Sequence, residues 1–184
     1  MFLHRLKTRL FRFGKDTEGS IAVEALITFP MLLWSLMACY TYFDGYRQSA
    51  SNLKAAYTIG DLISRETRTV DDTFIDSMHE LFGLMVRNET GVSMRISLIR
   101  YDEDRDEHTV RWSTVRGGYT IELTDELVVD LRDDLPPMPD EDTLILVETR
   151  NIFVPPYKVG IDDIPLENFI FTRPRFTNEI AGSV

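Results

Sequence analysis

The sequence predicts an α+β fold. A long amino-terminal transmembrane helix continues into a small domain, where a second helix packs on an antiparallel sheet of about four strands. Three observations carry this expectation. From Ser20 to Phe43 the chain has 24 residues of which Glu24 alone is charged. In "TVDDTFIDSMHELFGLMVRNETG", 69–91, the apolar residues recur at three and four, the spacing of one helix face. From Val92 the period changes to two, the alternation of a strand.

At 1.5 Å per residue the apolar run forms a helix about 36 Å long, enough for roughly 30 Å of hydrocarbon. The helix does not stop at Asp44. Leu53, Ala56, Tyr57, Gly60 and Ile63 keep a helical spacing and extend the element to about Arg65, a length of about 69 Å. Gly45 and Gly60 weaken it by up to about 1 kcal/mol each. Pro30 removes one backbone bond, which a membrane helix tolerates when neighbours satisfy the freed group.

The second helix starts at Asp71 or Asp72, whose carboxylate accepts from the free amides of the first turn. Phe74, Ile75, Met78, Leu81, Phe82, Met85 and Val86 form its core stripe, and Gly91 stops it. His79 lies off the stripe and reads as a solvated residue. "NET" at 88–90 matches an N-glycosylation pattern.

Val92, Met94, Ile96 and Leu98 alternate with Ser93, Arg95 and Ser97, a half-buried strand. "DEDRDEH" at 102–108 is a charged hairpin tip, and Val110 and Trp112 begin the return strand. Asp102, Asp104 and Asp106 have the spacing of the first ligands of an EF-hand loop. Glu107 and Ser113 stand where that loop requires glycine and glutamate, so the segment reads as a solvated tip and not as a calcium site. Thr124 followed by "DELVVDLRDD" predicts a short helix ended by Pro136 and Pro137. "TLILVETRNIFVP" from 143 is the strongest strand, stopped by Pro155 and Pro156. "FIFTRPRF" at 169–176 is a last strand, confined by Pro174 to an edge or an end. The expected organisation is a basic cytoplasmic leader at 1–19, a membrane part at 20–43, an extracytoplasmic α+β domain at 44–176 and a frayed tail at 177–184.

Charge is distributed unevenly. Arg5, Lys7, Arg9, Arg12 and Lys15 against Asp16 and Glu18 give residues 1–19 a net of +3. Residues 44–184 hold 15 basic and 27 acidic groups, a net of −12. A basic segment before an apolar span stays in the cytoplasm, which sends the acidic domain outside. That domain repels nucleic acid and anionic headgroups, so neither is its expected partner. The single cysteine, Cys39, lies in the apolar run, so the domain folds without an internal disulfide.

The run could also be a signal peptide, but it is longer than the usual 7–15 apolar residues, and no A-x-A pattern follows it closely. "LMAC" at 36–39 would make Cys39 a lipidation site, but Met37 fits that pattern poorly and "YTYFDGYRQ" is unlike a polar tether. A third reading accounts for Glu24. A carboxylate inside a span is costly, and such residues are usually functional. A cut after Gly19 would make Ser20 the first residue and Glu24 the fifth. A basic leader, a glycine before the cut, a glutamate at mature position five and a long apolar helix together resemble type IV pilins and pseudopilins. "AVEALITFP", with Ala22, Val23, Glu24 and Pro30, resembles the start of the TadE-like family, minor pseudopilins of tight-adherence (Tad) pilus systems. Ala25 departs from the family, in which an aromatic residue usually follows the glutamate. Trp112, "LPP" at 135–137, "LILVETRNIFVPPY" at 144–157 and "TRPRF" at 172–176 resemble its later strands more loosely.

The resemblance implies a pilin-like fold and a subunit needed to assemble an adhesive pilus. It implies a prepilin peptidase cutting between Gly19 and Ser20, Glu24 acting in subunit assembly, and partners among other pilus or pseudopilus subunits and the inner-membrane assembly platform. It places the chain in a bacterial inner membrane, single-pass, with a periplasmic carboxy-terminal domain. No nucleotide loop, zinc spacing or nucleophile elbow occurs. His4, His79 and His108 fall in the leader, on a helix and at a hairpin tip. The expectation is therefore a protein without catalytic residues, cofactor or metal. The competing expectation is an unprocessed, membrane-anchored domain that binds another envelope protein or a ligand.

Overall fold

A computed structural model describes residues 20–86 and 91–184. The leader with Gly19, and the pattern at 88–90, lie outside the described residues. In chain order the elements are α1 (Ser20–Ser64), β1 (Val70–Asp71), α2 (Asp72–Val86), β2 (Ser93–Asp102), β3 (Glu107–Arg116), α3 (Asp125–Asp130), β4 (Thr143–Phe153), β5 (Ile164–Thr172) and β6 (Gly182–Ser183). The arrangement is pilin-like α+β: a long apolar amino-terminal helix on a four-stranded antiparallel sheet with a second helix. The chain divides into two compact units. One comprises 20–43 and Pro156–Ile161; the other comprises Asp44–Pro155 and Asp162–Val184. α1 runs through Pro30 as one helix.

In the first unit α1 is apolar around its whole circumference. Ile21, Val23, Leu26, Ile27, Phe29 and Trp34 are all exposed. A helix apolar on every side is buried in lipid or in other protein. The stretch Ile21–Ser64 is long and apolar enough to cross a membrane.

The second unit is built on the sheet, in the order β3-β2-β4-β5. On one face Ala55, Ala56, Ile59 and Ile63 of α1 meet Ile75, Phe82 and Val86 of α2 and Met94, Ile96, Leu98, Ile145 and Val147 of the strands. The α1 face differs from the expected one. Ala56, Gly60 and Ile63 are buried as anticipated, but Leu53 and Tyr57 are exposed, and Asn52, Ala55 and Ile59 are buried instead. Small residues win this face because the helix lies close to the strands. A Cβ on Gly60 would stand 3.6 Å from Thr172 Cγ2. Asn151 Nδ2 donates to Asn52 Oδ1 at 3.3 Å.

α2 starts where Asp71 Oδ1 accepts from the Phe74 amide at 2.8 Å, as its cap position predicts. His79, expected in solvent, is half-buried and lies 3.1 Å from Val92 O through Nε2. It ties α2 to the start of β2, a role that residues off the apolar stripe do not announce.

The opposite face of the sheet is also covered. Ile99, Leu144 and Leu146 pack with Leu123, Val128, Leu135 and Met138 of the connection between β3 and β4. β2 is therefore buried on both sides, and not on one as its alternation predicts. Its serines meet the covering backbone: the Ser97 and Ser113 hydroxyls lie 2.8 Å apart, Leu123 N donates to Ser113 Oγ at 2.9 Å, and Gly118 N donates to Ser93 Oγ at 2.9 Å. Arg95 lies on this face with Glu148, in a two-pronged ion pair of 2.5 and 2.7 Å.

Val110 and Trp112 would share a face if β3 alternated strictly. The pairing shifts between Leu98↔Trp112 and Ile99↔Val110, leaving Arg111 as the extra residue of a bulge. Trp112 then joins the helix-side core and Val110 the other.

Two expectations at the carboxy end are corrected. The last strand spans Ile164–Thr172, not 169–176, and ends before Pro174. Its register on β4 runs from Ile145↔Thr172 to Phe153↔Ile164, so every position that needs an amide donor precedes that proline. The tail at 177–184 is not frayed. β6 pairs in parallel with β1, Ile180 is 2% exposed, and Trp112 Nε1 donates to Ile180 O at 2.8 Å.

Candidate functional site

Ser20 is the first residue of α1 and Glu24 stands one turn further on. Positions four apart share a helix face. Glu24 is exposed and makes no ion pair among the described residues. Its neighbours Ile21, Val23, Leu26 and Ile27 are exposed and apolar. The geometry is that of one carboxylate, without an intrachain partner, on a surface that water does not suit. Gly19, the other half of the expected cleavage pair, lies outside the described residues.

Further along, Thr41 is buried and its hydroxyl donates to Met37 O at 2.9 Å, the back-bond that satisfies a hydroxyl within an apolar helix. Cys39 is exposed. Tyr40 meets Tyr157 of the Pro156–Ile161 segment edge-to-face, with ring centroids 5.9 Å apart and an interplanar angle of 67°, a favourable aromatic arrangement. The sequence reading singled out neither tyrosine. The signal was present in "YTYFDGY", an aromatic cluster at the end of an apolar run, but its partner is more than a hundred residues away.

The second unit has clefts with charged linings. One of about 620 Å³ lies between the β2–β3 tip and α3, with Arg105, Asp106, His108, Asp125 and Arg132 on its walls. Several of its charges are matched. Arg132 holds Asp106, and Tyr101 Oη donates to Asp106 Oδ1 at 2.7 Å. The Arg132 guanidinium keeps the Asp106 carboxyl below its usual range, and burial lowers His108. Asp102 Oδ1 accepts from the Arg105 amide at 3.1 Å. Asp102 and Asp106 thus face a cation or amide of their own chain. Among the described residues no three acidic, histidine or cysteine groups converge as a metal would need. A second cleft, about 550 Å³, is lined by Arg100, Asp140, Glu141, Asp142 and Arg173. There Arg100 pairs with Glu141 and Arg173 with Asp142.

Glu24 is therefore a carboxylate on an exposed apolar helix with no ion pair among the described residues. Comparison of the sequence with family models and with curated proteins, and of the structure with solved structures, returns no match.

Proposed function

We propose that the chain is a TadE-like minor pseudopilin, a membrane-anchored, non-enzymatic subunit needed to assemble a Tad-type adhesive pilus. The observation that carries this reading is the unpaired carboxylate of Glu24, one turn from Ser20 on a helix exposed and apolar on all sides. A prepilin peptidase cutting between Gly19 and Ser20 creates an α-amino group, mostly charged at neutral pH. Glu24 lies about 6 Å deeper along the helix. When the subunit moves from lipid into a helical bundle, both charges face burial. A neighbouring subunit offset along the axis sets its Glu24 against that amine and neutralises both, fixing the axial register. A buried ion pair left with one member missing costs about 3–5 kcal/mol. The partners in this reading are the prepilin peptidase, other pilus or pseudopilus subunits and the inner-membrane assembly platform. The basic leader stays in the cytoplasm, and the acidic domain lies in the periplasm.

The test has two arms. Amino-terminal sequencing of the protein from membranes that contain the peptidase is expected to begin at Ser20. Glu24→Gln keeps size and removes charge, so it is expected to insert and be cut as wild type while crosslinking to pilus subunits and piliation fall. A wild-type chain still starting at Met1 supports the anchored-domain reading instead. A Glu24→Gln strain as piliated as wild type removes the pairing role.

A further inference from the structure

We infer that the Pro156–Ile161 loop is a second membrane contact, lying in the outer interface of the bilayer beside the end of the span. This rests on α1 being membrane-embedded, one part of the reading above, and is independent of whether the chain enters a pilus.

Four observations place the loop there. Pro156–Ile161 falls in the same compact unit as residues 20–43, although it comes from a distant part of the chain. Its contact is with a defined level of α1, Tyr157 against Tyr40. Tyr40 lies 20 residues beyond Ser20, about 30 Å at the helical rise, the thickness of the hydrocarbon. The tyrosine pair therefore sits where the hydrocarbon ends, the level at which tyrosine and tryptophan concentrate in membrane proteins.

The composition of the loop fits the same level. Tyr157 and Tyr40 keep 44% and 56% of their surface exposed, so the stacked rings still present an open apolar area. Tyr42 and Phe43 are more exposed still. Lys158 follows Tyr157 and is exposed, which lets its stem lie along apolar surface with the ammonium among the headgroups. Val159 N donates to Tyr157 O at 3.0 Å, and Gly160 has φ +92°. The tight turn satisfies part of the loop's backbone internally, and its glycine adopts the left-handed conformation that a side chain disfavours. Asp162 and Asp163 follow at once and are exposed. Two adjacent carboxylates do not enter hydrocarbon, so they limit the depth of the loop to the headgroup region. The occupant these features select is a lipid surface.

The experiment uses nitroxide labels on the full chain in vesicles of phosphatidylcholine and phosphatidylglycerol. Cys39 is the only cysteine, so the wild type labelled there reports the depth of α1 beside Tyr40. In a Cys39→Ser background, Val159→Cys and Asp163→Cys place the label in the loop and just beyond it. Lys158→Cys, at an exposed position, replaces Val159→Cys should that variant fold poorly. Accessibility to oxygen and to an aqueous nickel chelate is measured by power saturation. The expected result is a loop label within about one helical turn, ~5 Å, of the depth found at Cys39, with the label at 163 open to nickel. A loop label as open to nickel as that at 163, while Cys39 remains in lipid, overturns the loop proposal alone. A loop label closed to both reagents and showing spin–spin broadening means that a second copy covers it, which also overturns the lipid assignment. A Cys39 label as open to nickel as that at 163 places Tyr40 beyond the bilayer interface and overturns the loop proposal.

Discussion

Arg95 and Glu148 show how one residue can be misread by pattern and still be indispensable. Arg95 occupies an outward position of an alternating strand, where a charged side chain reads as solvated. Its partner lies across the β2–β4 pairing at Arg95↔Glu148, and the two side chains retain only 14% and 12% exposure. Arg95 Nη1 also donates to Ile121 O at 3.2 Å, and the guanidinium lies 5.5 Å from the Tyr119 ring centroid. The pair raises the Arg95 pKa above its ordinary value, chiefly through the hydrogen bonds to Glu148. Glu148→Gln keeps the shape but leaves the guanidinium without its counter-charge. The expected loss is about 2–3 kcal/mol of unfolding free energy, to be read as a lower denaturation midpoint with an unchanged urea dependence. A midpoint equal to wild type would place the pair among the exposed pairs that contribute little.

At the scale of elements, the carboxy-terminal tail has the largest unexpected role. The eight residues after Phe176, "TNEIAGSV", offer no period and no long apolar run. Ile180 nevertheless closes the helix-side core, and Trp112 caps it. A Cβ on Gly182 would come within 2.7 Å of the Trp112 ring, so β6 reaches β1 only because that position has no side chain. Glu179 adds an ion pair to Arg111, the bulged residue of β3, at 2.9 Å. Ile180→Ala is expected to cost about 2–5 kcal/mol, the range for emptying a filled core site. Hydrogen exchange should accelerate most in β1 and at Trp112 Nε1. Protection there equal to wild type would mean that the tail lies on the core without holding it.

For the whole molecule, charge asymmetry and the long apolar helix together carry the proposed topology. Five basic residues precede the helix within the first nineteen positions, and the chain after Phe43 has a net charge of −12. Basic residues beside a span carry most of the topological weight. A reporter active only in the periplasm, fused after Val184, is expected to be active. Activity of a cytoplasm-only reporter at the same point would reverse the orientation and remove the proposed assembly role with it. The loop at Pro156–Ile161 adds a feature that no domain boundary drawn along the sequence contains. It belongs to the unit of the span although it lies inside the stretch expected to form the extracytoplasmic domain.

What the sequence determined by itself is local. Twenty-four residues with one charge make a helix long and apolar enough to cross a membrane, the element that satisfies its own backbone there. Seven apolar residues at helical spacing make α2, and a change of period at Val92 makes a strand. Glu24 is visible for the same reason, since a lone carboxylate in such a run has no local explanation. What only the tertiary structure decided is which surfaces meet. The alternation of β2 marks two faces but does not reveal that a segment some twenty residues further on covers the polar one and donates backbone amides to Ser93 and to Ser113, the partner of Ser97. The face of α1 that meets the sheet carries Asn52, Ala55, Ala56, Ile59, Gly60 and Ile63, and leaves Leu53 and Tyr57 exposed. Tyr40 and Tyr157 meet across more than a hundred residues, and no period links them. Periodicity fixes the phase of an element about its own axis, whereas the identity of its neighbour is a long-range fact that the chain settles only on folding.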